Sequence, residues 1–148
     1  MKHPINQAAV QFLSRSNNEA FARTTAACFA AQLDPTLDEL NDLKTAVSEA
    51  VTNAIVHGYP DTIGRVTMIM KLFEDNTVEI TVKDKGVGIA DLEKARTPLF
   101  TTGGAERAGM GFTIMESFTD GMRVRSAPGR GTTVVLSKKI SLRAGGAR

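Results

Sequence analysis

Two runs, RVTMIMKLF and TVEITVKD, alternate apolar and polar residues, and the turn-prone EDN between them predicts a β-hairpin over residues 65–84. Ahead of it the apolar spacing changes to three and four. Leu40, Leu43, Val47, Ala50 and Ala54 form the stripe of an amphipathic helix. Thr36 followed by Glu39 reads as a capping box at its start, and Gly58 and Pro60 predict its end at His57. Upstream, residues 8–13 read as a short strand and residues 17–33 as an alanine-dense helix with Ser16 or Asn17 as its cap. Downstream come the glycine-rich DKGVGI, a short acidic segment at 91–95 and the long irregular stretch TPLFTTGGAERAGMG. A helix is then predicted from Gly111 through FTIMESF, followed by strands GMRVRSA and GTTVVLSKK around the turn PGRG.

This order predicts an α+β fold, with helices on one face of a mixed, mostly antiparallel sheet. No repeat or linker interrupts the chain. The expectation is one domain over residues 1–140 and a frayed tail at 141–148.

Composition narrows the partners. The 148 residues carry 18 basic and 16 acidic side chains, a net charge of +2 with the signs interspersed. With no Trp and one Tyr besides, this argues against a dedicated nucleic-acid binder, which needs a basic stripe and stacking rings. The single cysteine, Cys28, excludes an internal disulfide and is expected to be a small buried hydrophobe. No stretch has the length of a membrane span and no signal-peptide core opens the chain, so a cytoplasmic protein is expected.

Four features carry possible chemistry. Glu49, Asn53 and His57 stand four apart on the flank of the helical stripe, bordering the core. A solvated helix edge would show the same pattern. In DKGVGI, Asp84 closes a strand and is an acceptor-only group suited to an exocyclic amine. Gly86 and Gly88 after it permit positive φ and close backbone approach to a flat ligand. Gly109 and Gly111, placed just before the predicted helix, would offer free N–H groups as a phosphate cradle. Thr132, opening the last strand after Gly131, could share a water or hydrogen bond with Asp84.

In order, Glu-x-x-x-Asn on a helix, D-x-G-x-G after a strand, G-x-G before a helix and G-T on a strand resemble the Bergerat (GHKL) ATP-binding fold. That fold, a two-layer α/β sandwich, is shared by gyrase B, Hsp90, sensor histidine kinases and MutL. The strings SEAVTNAIVHGY, TPLFTT, GMGFTIMESFTD and FLSRSNNEAFAR are similar, over almost the whole chain, to the anti-sigma factor serine kinases of spore-forming bacteria. The anti-sigma kinases of general stress match these strings less closely.

The resemblance implies adenine recognition by Asp84, Mg²⁺ coordination by Asn53 and general-base work by Glu49 on a serine hydroxyl. Thr52 and His57 would be neighbours on the phosphate side. It makes TTGGAERAG an ATP lid, reaching the nucleotide through Thr101, Thr102 and Arg107. This lid is about one residue shorter than the pattern and has Gly103-Gly104 where relatives often carry Lys-Pro, so any lid contact by a Lys is lost. Glu19 and Arg23, on a helix expected to lie away from the nucleotide motifs, are implied to touch protein partners; an ordinary i,i+4 ion pair would look the same. The implied activity is that of an ATP-dependent serine kinase acting as a homodimer. It would hold a sporulation sigma factor inactive with ATP, phosphorylate an anti-anti-sigma factor, and favour the unphosphorylated anti-anti-sigma partner with ADP. The rival readings are a histidine-kinase catalytic domain, a nucleotide-gated binding module and an ATPase without protein kinase activity.

Overall fold

The hairpin predicted from alternation forms the middle of the molecule. In a computed structural model, which describes residues 2–90 and 104–142 without the side chains of 104–109, strands β2 (Arg65–Leu72) and β3 (Thr77–Asp84) pair antiparallel. Every second residue of β2 is buried, from Val66 through Met68 and Met70 to Leu72, so the sequence period becomes the face of a sheet. β1 (Asn6–Leu13) flanks β2, while β5 (Gly131–Lys139) flanks β3 and carries β4 (Gly121–Ala127) at the other edge. The order β1-β2-β3-β5-β4 is antiparallel at every pairing, which resolves the expected mixed sheet. The hairpin turn is fixed by Asn76, at φ +71°, whose buried amide donates to the Ile140 carbonyl at 2.7 Å.

Helices α1 (Asn18–Ala30), α2 (Leu37–Thr52) and α3 (Gly104–Ser117) cover one face of this sheet. The core between the layers joins Leu43, Val47 and Val51 of α2 to Met68, Ile80 and Leu136 of the strands, with Phe112 and Met115 from α3. Leu40 packs against it half-buried. The capping box on α2 is fully formed. Thr36 Oγ1 accepts from the Glu39 N–H at 3.1 Å, and Glu39 Oε1 accepts from the Thr36 N–H at 2.8 Å. Such a cap contributes about 1 kcal/mol.

Several expectations needed correcting. α1 starts at Asn18 and passes into a 3₁₀ turn at Ala31–Leu33, and no side chain caps its N-terminus. Cys28 is exposed: α1 turns Ala22, Ala26, Ala27 and Ala30 inward, and Cys28 falls on the outer side. α2 does not continue as an α-helix to His57; Asn53–Gly58 form a widened π turn. α3 begins at Gly104 rather than Gly111, so much of the stretch read as irregular is helix. Ser141, assigned to the tail, donates its backbone N–H to Glu39 Oε2 at 2.8 Å.

Candidate nucleotide site

The C-terminal end of α2, the end of β3 and the start of β5 meet in a narrow cleft. Asn53, His57, Asp84, Gly88 and Thr132 line it together with an apolar wall of Ala50, Ala54, Val82, Ile89, Phe112 and Val134. An apolar slot with few convergent polar groups is the ordinary form of a small-molecule site. Ala50 and Ala54 of this wall also belong to the apolar stripe that runs along α2 into the π turn. Ala50 and Ala54 do both jobs, because small side chains on the helix edge leave room beside the core.

Asp84 is the polar floor. It is 7% exposed, and burial pushes its carboxyl above the usual carboxylate range, against the pull of backbone N–H donors from Gly86 and Thr132. The Gly86 N–H reaches Oδ1 at 2.9 Å. The two glycines after it serve different ends. Gly88 adopts φ +74°, as expected, but Gly86 does not have positive φ. Gly86 is required by packing: a β-carbon there would lie 1.8 Å from the Gly58 carbonyl oxygen. That oxygen accepts from the Val87 N–H at 2.9 Å, tying the π turn to the loop after β3. Thr132 pairs with Asp84 across the β3–β5 register, but its hydroxyl is engaged by Ser126 at 2.7 Å. Ser126 also accepts from the Ile89 N–H at 2.8 Å. This hydroxyl bridge had no signal in the sequence.

Glu49 and Asn53 converge on α3. A β-carbon built on Gly111 would stand 3.2 Å from both amide atoms of Asn53 and 3.2 Å from Glu49 Oε2. The buried Asn53 Nδ2 has no hydrogen-bond partner among the described residues. Burial, and then the charge of Glu19, raise the Glu49 carboxyl above its usual range. His57 reaches the cleft from the π turn, while Thr52 does not line it.

Glu19 and Arg23 do not lie away from these groups, contrary to expectation. α1 packs along α2, so Arg23 and Glu49 line one groove with Asn41, Lys44, Thr45 and Ser48. Arg23 Nη1 pairs with Glu19 Oε1, and Glu19 Oε2 is buried without a partner among the described residues. The glycine cradle also changes. Gly109 and Gly111 sit in the second turn of α3, where N–H groups are taken up by the helix itself, so they cannot offer free donors. Arg107 is in the first turn of α3, with its side chain not described, and Thr101 and Thr102 lie outside the described residues.

Residues 12–138 match the histidine kinase-like ATPase domain family. The anti-sigma F factor of Geobacillus kaustophilus is 56% identical over 137 residues, covering 92% of this chain and 94% of that protein. The chain belongs to the anti-sigma F factor family. The Bacillus licheniformis anti-sigma F factor is 55% identical over 142 residues, covering 95% of each. In the solved structure of the RsbU and RsbW domains of a Mycobacterium tuberculosis protein, the same fold recurs at a TM-score of 0.66 and 20% identity. That match covers 93% of this chain but 32% of the other, so this anti-sigma F family member spans about a third of it.

Anti-sigma F family membership fits the α+β sandwich and the place of the cleft. Among the described residues no helix of this family member is long and apolar enough to cross a membrane.

Proposed function

We propose that this chain is an anti-sigma factor and a protein serine kinase. It binds ATP with Mg²⁺, restrains a sporulation sigma factor, and phosphorylates a serine of an anti-anti-sigma factor. The observation that carries this reading is the position of Glu49, which stands one turn from Asn53, approaches Gly111 of α3 beside it, and lines the groove between α1 and α2. The carboxylate thus borders an open groove while its neighbour Asn53 lines the nucleotide cleft, which suits a base between a nucleotide and another protein.

The residues fit the implied group. Asn53 is a buried amide lacking a partner for its Nδ2 among the described residues, and α3 comes close to it at Gly111. Its Oδ1 is a hard neutral oxygen, the donor type Mg²⁺ takes alongside waters and phosphates. Asp84, held by two backbone donors, keeps acceptor capacity for an exocyclic amine, and the apolar wall suits a flat base. When bound, the magnesium nucleotide supplies the γ-phosphoryl group and neutralises its charge.

The chain then has three tasks. Asp84 and the wall orient the base, Asn53 holds the metal, and Glu49 takes the proton from the incoming serine hydroxyl onto a carboxylate oxygen. The raised affinity of Glu49 for a proton suits a base that works near neutrality. Thr101, Thr102 and Arg107 are proposed to close over the phosphates; a guanidinium would bind them bidentately. Glu19 and Arg23, beside Glu49, are proposed to meet the protein partners, with the chain acting as a homodimer and ADP favouring the unphosphorylated anti-anti-sigma partner.

Labelled ATP with Mg²⁺, this protein and a candidate anti-anti-sigma partner tests the reading. Label on a partner serine is the expected result. Free phosphate alone would make the chain an ATPase, and neither product would leave a nucleotide-gated binding module.

A further inference from the structure

The sheet face that the described helices leave uncovered is electrically divided. At one end charges of both signs are paired: Lys2 meets Asp75 at 2.6 Å, and Arg123 approaches Glu79 at 4.0 Å. At the other end, cations predominate among the described residues. Arg65 opens β2, Lys83 faces outward near the end of β3, and Lys85 follows it. Across the register from Lys83, through Thr133, lies Arg125. None of these four cations is in an ion pair among the described residues. Asp84, between the two lysines in sequence, is buried on the opposite face, and Asp61 in the nearby loop pairs with none of them.

The cations border a built groove. Leu13 and Ile63 line it while 47% and 48% exposed, alongside Arg65, Lys83 and Lys85. Its floor is pinned by Tyr59, whose hydroxyl donates to the Arg65 carbonyl at 2.8 Å and accepts from the Lys85 N–H at 2.8 Å. Ser14 Oγ holds the Gly64 N–H at 2.9 Å, and the Ser14 N–H donates to the Gly64 carbonyl at 2.8 Å. Uncompensated like charges around exposed aliphatic side chains cost stability, so a rigid groove of this kind calls for a complementary surface.

We infer that this groove docks an acidic segment of a partner protein that carries apolar side chains among its carboxylates. Three candidate occupants differ in what they would need. A nucleic acid would need ring faces, but Tyr59 lies over Gly64, where a β-carbon would come within 2.2 Å of the ring, and its hydroxyl is tied twice. A second copy placed here about a two-fold axis would set cations against cations. An acidic, apolar-bearing segment satisfies both the charge and the exposed Leu13 and Ile63. The groove is on the sheet face opposite the nucleotide cleft, so its role is separate from the phosphotransfer reading.

The test is a titration of the full chain with a fluorescein-labelled peptide of repeated glutamate-glutamate-leucine units, roughly twelve residues long, at ionic strength near 0.1 M where charges a Debye length apart still act. The expected result is binding that falls about tenfold or more in Arg65→Glu/Lys83→Glu, and less than about twofold in Lys71→Glu/Lys139→Glu at the other end of the face. Arg65→Gln/Lys83→Gln, which avoids new repulsion, is expected to lose part of the binding. No binding by the unaltered chain, or equal loss in both charge reversals, overturns the proposal. So does tighter binding of a single-stranded oligonucleotide with the same sensitivity, or a halved solution mass in Arg65→Glu/Lys83→Glu. Magnesium-nucleotide binding, measured on each variant, confirms an intact fold, and its failure in the unaltered chain counts against the proposed function rather than the groove.

Discussion

Gly111 faces Asn53 so closely that a β-carbon on it would sit 3.2 Å from both the oxygen and the nitrogen of the amide. The same atom would lie 3.2 Å from Glu49 Oε2. α3 therefore passes the two polar residues of α2 with a bare backbone, at a separation that a side chain on Gly111 would tighten.

Gly111→Ala separates stability from function at this point. Alanine in place of a helical glycine gains about 0.5–1 kcal/mol, offset by a contact tighter than ordinary packing. We expect a melting temperature that is unchanged or slightly raised, together with magnesium-nucleotide affinity lowered roughly tenfold or more. Calorimetric titration beside a thermal melt checks both. Undiminished affinity would show that the space before Asn53 is not used.

Asp84→Asn bears on the other end of the cleft. The carboxylate accepts from Gly86 and Thr132 and retains capacity for a ligand, whereas an amide offers a single oxygen and sets a donor against those N–H groups. Loss of a charged hydrogen bond costs about 1.5–3 kcal/mol, so nucleotide affinity should fall roughly 10- to 150-fold. Burial raises the Asp84 carboxyl, so in the unaltered protein affinity should also decline as pH drops through that raised value. An unchanged dissociation constant in the variant would rule out Asp84 as the adenine contact.

Glu39 gives a prediction about the fold alone. Burial pushes its carboxyl up, but hydrogen bonds from Thr36 and Ser141 outweigh that and leave it below its ordinary value of 4.5. The native state thus binds fewer protons than the unfolded one near that value. Its stabilisation is present above 4.5 and lost as pH falls through the lowered native value. Glu39→Gln should be less stable than the unaltered chain at neutral pH, and the two stability curves should meet in acid. Urea unfolding across pH measures this; a constant gap would mean that the carboxylate charge does not matter to the cap.

How far the sequence could be read depended on the range of the interaction. The hairpin of β2 and β3 and the capping box at Thr36 were legible because period-two burial and capping are local and written in adjacent residues. That Asn53 and Asp84 share one cleft was legible because short motifs came in a recognisable order. What escaped is what needs two distant segments at once. Arg23 comes beside Glu49 only because α1 packs on α2, and Ser126 reaches Thr132 only through the β4–β5 hairpin. The start of α3 was misplaced because Gly104, Gly109 and Gly111 read as loop formers, and tertiary packing overrode that propensity. Cys28 was assigned to the core by residue type, whereas the alanines around it already occupied the inner face.

Glu49→Gln is the substitution on which the kinase reading turns. Amide for carboxylate preserves shape and leaves Asn53 and Asp84 in place, so ATP should bind as before. Removing a positioned general base typically costs a factor of about 10²–10⁴, and transfer to the partner serine should fall by that order. Stability should move the opposite way. Burial and the Glu19 charge raise the Glu49 carboxyl above its ordinary 4.5, so the native state holds a proton that the unfolded state has released. Stability contributed by this group therefore declines as pH rises from 4.5 through the raised value, and the cost of the ionised form is complete above it. The glutamine variant escapes that cost: it should be the more stable protein at neutral pH, with the advantage disappearing in acid. In the unaltered chain, transfer should rise with pH through the same raised value, while residual transfer in the variant stays flat. Full serine phosphorylation by Glu49→Gln would remove Glu49 as the base, whatever the melts showed.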